Sequence, residues 1–259
     1  MLVTGATGGL GQAIARAFSA RGAKVTLTGR RLDLLEELAA ELGGRAIQCD
    51  LSVRAEVDRL IAEAGEVDVL VANAALPGSG DLVDFTQRQI DAVLEVNFRA
   101  PIALARGLVP GMIERRRGHL VFISSLSGKA AAPLSSIYNA TKFGLRGFAL
   151  SVREDLRSDG VGVSVVLPGF IRGAGLFADA NVELPRSVGT RTPEQVAQAT
   201  IRAVERNQAE VHVSPLPLRL GADFASAAPG VAATMTRLLG GERIAKAHAE
   251  GQRQKRPEP

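Results

Sequence analysis

The sequence predicts an α/β chain: a single doubly wound parallel sheet of about seven strands, flanking helices and a C-terminal helical tail. Three observations predict it. Short β-branched runs alternate along the chain with longer segments of helical period, the order that strand–helix–strand crossovers require. Runs such as Leu120–Ile123 and Val161–Leu167 lack polar alternation, as strands buried on both faces do. The 259 residues, 46% apolar and 22% charged, match an ordinary globular chain large enough to bury a core without staples.

In chain order, the strand candidates are Leu2–Thr4, Lys24–Thr28, Ala46–Cys49, Val67–Ala72, His119–Ser124, Val161–Leu167 and Glu210–Val213. Between them lie helical patterns. Leu10–Ala20 carries Leu10, Ile14, Ala17 and Phe18 on one face, and Leu32–Leu42 carries Leu34, Leu35, Leu38 and Leu42. Ser52 is placed to cap Arg54–Ala64, and Thr86 to cap Arg88–Phe98. Pro101 opens the next helix, to Arg116, and Ser135–Arg157 is one long helix. Thr192-Pro193-Glu194 reads as N-cap, proline at the first position and an acid in the first turn.

The strand–helix alternation defines a first unit, residues 1–213, and the composition changes after Val213. Pro215, Pro217 and Pro229 interrupt residues 214–259, Val231, Met235, Leu238 and Leu239 form a short amphipathic stripe that reads as core, and Gln252–Pro259 is a polar, mobile end. The tail from Arg237 carries six basic residues against three acidic ones, most of the net charge of +4. With the rest near neutral, a nucleic-acid surface is not expected. Contact of the basic tail with a membrane surface is the weaker alternative to simple solvation. Cys49 is the only cysteine, and His119, His212 and His248 lack ligand spacing, so no metal is expected. No apolar run is long enough to span a bilayer and no secretion signal is visible, which suggests a cytoplasmic protein.

Thr4-Gly5-Ala6-Thr7-Gly8-Gly9-Leu10-Gly11 lies between the first strand and the first helix. Glycine admits positive φ and lets backbone approach a pyrophosphate, while the helix offers free N–H groups and its positive dipole end. The candidate cradle is therefore Gly5, Thr7, Gly9, Leu10 and Gly11. The second strand ends Thr28-Gly29-Arg30-Arg31, with no acid to accept from a ribose 2′-hydroxyl. Arg30 and Arg31 offer planar donors suited to a 2′-phosphate. NADP(H) is accordingly preferred, with NAD(H) possible; Arg31 alternatively just starts a helix in solvent. Asp50, before Leu51, is placed to accept from an adenine amino group.

Tyr138-Asn139-Ala140-Thr141-Lys142 puts a phenol and an ammonium four residues apart on one helix face. A nearby ammonium favours the phenolate, drawing the phenol toward working pH as a general acid and base. Tyr138 is the only tyrosine in the chain. Ser125, at the carboxyl end of its strand, stands where a substrate carbonyl would lie, with Ser124 and Ser127 as competitors. Asn97, unfavourable in mid-helix, either holds a water linked to Lys142 or bonds a neighbouring carbonyl.

These residues resemble the short-chain dehydrogenase/reductase family over about residues 1–213. The features are Thr4-Gly5-x-x-x-Gly9-x-Gly11, Asp50-Leu51, Asn73-Ala74, Asn97, Ser125, Tyr138-x-x-x-Lys142 and Pro168-Gly169. The resemblance implies a Rossmann-type fold, NAD(P) binding, a tetrad of Asn97, Ser125, Tyr138 and Lys142, and a bond from Lys142 to the nicotinamide ribose. It also implies cofactor contacts at Asn73, Ala74, Pro168 and Gly169, and a homodimer or homotetramer through the helices near Pro101–Arg116 and Ser135–Arg157. The chain departs from the family where Ala72-Asn73-Ala74-Ala75 replaces Asn-Asn-Ala-Gly, where Arg172-Gly173 stands in place of a threonine, and where no basic residue sits in the glycine loop.

The expected reaction is hydride transfer between NADP(H) and a carbonyl or secondary alcohol, with Tyr138 as acid and base. Phe170–Arg191 is expected to select the small-molecule substrate, and Leu176, Phe177, Val182, Leu184 and Val188 make that stretch apolar and the substrate lipophilic. The competing reading is a non-catalytic NADP-binding regulatory or scaffold protein. A sugar-nucleotide epimerase is disfavoured because little chain remains for a substrate domain.

Overall fold

The structure, a computed structural model, describes residues 1–180, 182, 188–238, 241–253 and 256. Strands β1 (Leu2–Thr4), β2 (Thr26–Gly29), β3 (Arg45–Gln48), β4 (Val69–Ala72), β5 (Gly118–Ile123), β6 (Val161–Pro168) and β7 (Glu210–Val213) form one sheet. Their order is β3-β2-β1-β4-β5-β6-β7 and every pairing is parallel. The chain runs outward from β1 to β3, then returns to β4 on the other side of β1. That reversal opens a crevice at the carboxyl ends of β1 and β4, where open α/β sheets bind ligands.

The helices are α1 (Gly9–Ser19), α2 (Leu32–Leu42), α3 (Arg54–Ala64), α4 (Gln87–Leu94), α5 (Ala100–Glu114), α6 (Ser136–Asp155), α7 (Gly175–Asp179), α8 (Pro193–Glu205), α9 (Leu216–Ala227), α10 (Pro229–Leu238) and α11 (Gly241–Arg253). Strand alternation divides the core into two layers. Leu2, Leu70, Leu120 and Val163 join Leu60, Leu104, Met112 and Leu145 under α3, α5 and α6. Val3, Leu27, Val71 and Val121 join Ile14, Leu35, Val196 and Ile201 under α1, α2 and α8. β6 is buried at every position, as its unbroken apolar sequence requires.

Several expectations shift. β2 and β4 begin later than Lys24 and Val67, because β1 offers partners only from Leu2, which registers with Thr26 and Leu70. Ser52 does not cap α3: Asp50 Oδ1 accepts from both its N–H and its hydroxyl, and Val53 takes the cap position. Thr86 does cap α4, in a reciprocal box with Gln89. The helices expected at 88–98 and 101–116 are not separate. A π-helical segment, Glu95–Arg99, joins α4 to α5 and carries Asn97.

The tail differs most. Three helices replace one, and the stripe read as core lies open: Val231 is 56% exposed, Met235 48% and Leu238 82%. Gln252, expected in a mobile end, is buried. Leu184, Arg186, Leu239, Lys255 and the chain beyond Arg256 lie outside the described residues. Among the described residues no helix is long and apolar enough to cross a membrane.

Candidate active site

β1 delivers the chain into the crevice at Thr4, and Gly5 turns it with φ +63°, a conformation glycine adopts without strain. The crossing is tight: a Cβ on Gly11 would lie 2.3 Å from the Gly5 carbonyl oxygen. The loop is tied to β4. Thr4 Oγ1 accepts from the Asn73 and Ala74 N–H groups at 3.0 Å each, and Asn73 Nδ2 donates to the Thr4 carbonyl at 3.0 Å. Asn73 and Ala74 thereby hold the glycine turn in shape.

Arg31 donates through Nη2 to the Thr7 carbonyl at 3.0 Å, so it braces the glycine loop. Neither of its two expected roles, phosphate contact or solvated helix start, included this bond. Arg30 is exposed, and among the described residues its guanidinium has no protein partner. It lines a cleft with Gly5, Gly29, Asp50, Leu51 and Ala74. A Cβ on Gly29 would make ordinary contact with Thr7 and Leu35, 3.5 Å at the nearest. Asp50 Oδ1 already serves Ser52, yet the residue still faces this cleft.

A second cleft of about 630 Å³ adjoins the first and brings together Thr7, Gly9, Leu10 and Gly11 with Ser125, Tyr138, Lys142, Pro168 and Gly169. β5 supplies Ser125 from its carboxyl end and α6 supplies Tyr138 and Lys142 from its first two turns. Of the three serines, Ser125 is the one whose hydroxyl acts on the phenol, favouring its ionised form. Ser124 Oγ is turned away, donating to the Lys142 carbonyl at 3.0 Å. Lys142 is buried; its Nζ donates to the Ile123 carbonyl at 2.9 Å and lies 5.6 Å from the centre of the Tyr138 ring.

The electrostatics differ from the simple expectation. Burial pushes the Tyr138 phenol up to about 12, with the Ser125 bond opposing, and burial pushes Lys142 down to about 8. Desolvation of each group outweighs attraction between them.

Asn97 is fully buried, and both ends of its amide go to one residue: Oδ1 accepts from Leu76 N at 2.6 Å and Nδ2 donates to Leu76 O at 2.9 Å. The carbonyl bond, one of its two expected roles, is made. Asn97 anchors the segment after Asn73-Ala74, and the wide π turn aims it inward.

Sequence reasoning gave no site role to three tail residues that line the clefts. His248 and Gln252 line the second cleft and Arg256 the first. His248 stacks on Phe177 at 5.6 Å and Gln252 donates to the Leu176 carbonyl, so α11 closes over α7. Phe177 in turn meets Phe170 at 4.6 Å. A glutamine and an arginine in a polar C-terminus give no signal of burial.

Glu210, His212 and Asp223 also cluster, with ligand atoms within 4.8 Å of one another. Lys129 sits on both carboxylates and Arg146 on Glu210. The protein's own cations fill the position a metal would take, and the network joins α9 to the sheet.

The short chain dehydrogenase family profile matches residues 1–183. Ketoacyl reductase HetN of Nostoc sp. is 34% identical over 227 residues, 84% of this chain and 79% of that protein. A solved short-chain dehydrogenase of Sphingobium yanoikuyae in complex with NADPH is 26% identical, with a TM-score of 0.75 over 93% of this chain and 92% of that one. A metagenomic short-chain oxidoreductase in complex with NADP is 34% identical, with a TM-score of 0.67 over 83% and 96%.

Proposed function

The chain belongs to the short-chain dehydrogenase/reductase family of NAD(P)-dependent oxidoreductases, and from that premise we propose that it interconverts a carbonyl and a secondary alcohol, prefers NADP(H), and takes a largely apolar substrate. One observation carries the reading: the Tyr138 phenol, one helical turn from Lys142, shares a cleft with Ser125 and the glycine turn. The cleft fits a dinucleotide, since Gly5, Gly9 and Gly11 keep side chains out of its floor and Arg30 waits with no protein partner.

Bound there, the nicotinamide dinucleotide supplies or accepts the hydride. The chain supplies the proton and the positioning. Tyr138 holds its proton at the phenol oxygen and delivers it to a carbonyl oxygen during reduction. Ser125 orients that oxygen, and Lys142 provides positive charge beneath the phenol. Asn97 is a positioning residue that acts through Leu76. Arg30 is assigned to a 2′-phosphate and Asp50 to the adenine end. Leu126, Phe170, Ile171, Leu176 and Phe177 line the cleft near Tyr138, which favours a lipophilic ketone or alcohol. Self-association as a dimer or tetramer is assigned to α5 and α6, where Ile113 and Phe143 are exposed, and sedimentation at several concentrations tests it.

The test of function is oxidation of NADPH followed across ketones of graded size and charge. Turnover of apolar ketones is expected. No turnover of any ketone by a chain that binds NADPH would leave the non-catalytic reading. R30A is expected to weaken NADPH roughly tenfold or more and leave NADH unchanged, as loss of one phosphate contact implies.

A further inference from the structure

Helix α11 packs on α7, and beyond it Arg256 lines the first cleft. The Arg256 guanidinium stacks 4.2 Å from the centre of the Phe85 ring and donates through Nη2 to the Ser79 carbonyl at 3.0 Å. It packs so closely over Gly80 that a Cβ there would collide with it. Two of its surroundings point to a ligand. It lines the cleft that also holds Arg30, Gly29, Asp50 and Leu51. And among the described residues no carboxylate touches it, Asp84 and Glu250 acting only at longer range, while its Nε is buried with no hydrogen-bond partner. A desolvated cation without a counter-ion is costly unless an anion completes it.

We propose that Arg256 is a cofactor-binding residue, a guanidinium brought by the C-terminal segment to a phosphate of the dinucleotide. The inference rests on the functional reading above and adds to it: the nucleotide site is completed from the far end of the chain, outside the residues that the family profile spans. The ring of Phe85 and the Ser79 carbonyl hold the planar group in place before the ligand arrives, which lowers the entropy cost of the contact. Gln252, buried and tied to Leu176, fixes the preceding turn of α11. Burial lowers the Arg256 pKa, and the attraction of Asp84 and Glu250 only partly offsets it. The phosphate is either the pyrophosphate, shared by both dinucleotides, or the 2′-phosphate beside Arg30, present only on NADP(H).

The test is the dissociation constant of NADPH and of NADH, titrated by nicotinamide fluorescence, for the unaltered chain and for R256A, R256K and R237A. Loss of one charged hydrogen bond predicts roughly tenfold to hundredfold weaker NADPH binding in R256A. R256K, which keeps charge but not the planar fork, should fall between. R237A removes a tail charge outside both clefts and should bind as the unaltered chain does. Weakening of both dinucleotides assigns the pyrophosphate; weakening of NADPH alone assigns the 2′-phosphate. Unaltered NADPH affinity in R256A overturns the proposal, as does equal weakening in R237A, which would mark diffuse attraction. Failure of the unaltered chain to bind either dinucleotide would instead remove the functional reading itself.

Discussion

Helix α6 and the helices α9 and α10 carry apolar or small residues at the same helical spacing and do opposite things with them. Along α6, Ile137, Thr141, Leu145 and Ala149 recur every fourth residue and all are buried. Along α9, Leu216, Leu220 and Phe224 recur every fourth residue and are 63%, 57% and 46% exposed. α9 buries only Ala222, and α10 buries none of its residues. Tyr138 and Lys142 ride on the helix that the core holds. The tail is attached through a handful of contacts: the Lys129–Asp223 pair, Gln252 to Leu176, His248 on Phe177, and Arg256 on Phe85 and Ser79. A region with few buried apolar contacts opens at lower cost than the rest. The proposed chemistry therefore stands on the deeply buried helix, and the exposed stripe lies on the region with fewer buried contacts.

The sharpest way to break this contrast is at Tyr138. Replacement by phenylalanine keeps the ring and removes the proton donor, so turnover should fall by roughly 10²–10⁴-fold with NADPH affinity nearly unchanged. Steady-state kinetics beside fluorescence titration checks it. Retained turnover would move the chemistry off α6. Next in size is Leu145→Ala, a truncation in the α6 core layer. It should cost about 2–5 kcal/mol, read from urea unfolding monitored by circular dichroism.

A third prediction concerns pH. His119, at the start of β5, bonds Ser164 Oγ at 2.8 Å, and burial with nearby Arg153 of α6 pushes its pKa down to about 4 from 6.5. Between those values the unfolded chain takes up a proton that the folded chain refuses. Stability should thus fall as pH drops from about 6.5 to about 4, by roughly 1.4 kcal/mol per pH unit at most. His119→Asn should flatten this limb in melting curves taken at successive pH values. An unchanged limb would place the acid sensitivity elsewhere.

How much of this the sequence revealed depends on where the information lies. Parallel strands, the glycine turn and the Tyr138–Lys142 spacing are local patterns that name their own environment. The π turn at Glu95–Arg99 is not local: one widened turn serves to aim Asn97 at Leu76, a partner 21 positions away. Spacing placed Lys142 one turn from Tyr138 but could not weigh burial, which here dominates both groups. In the tail, periodicity reported a stripe without saying what covers it, and the polar residues Gln252 and Arg256 gave no sign that they return to the cleft. Those contacts exist only after α7 and the loop at Ser79–Phe85 have been placed.

The smallest expected effect tests the exposed half of the comparison. Leu238 is 82% exposed and Leu216 63%, so converting both to serine removes little buried area. Surface changes of this kind usually shift stability by no more than about 0.5 kcal/mol, well below the cost set for Leu145. Urea unfolding of the double variant at two protein concentrations measures it. A loss as large as that of Leu145→Ala would mean that the stripe is covered. If that loss also grew with protein concentration in the unaltered chain's favour, the cover would be a second copy, because only association makes stability depend on concentration. A small, concentration-independent change would leave the contrast as drawn, with α6 sealed by the sheet and the tail stripe open to solvent.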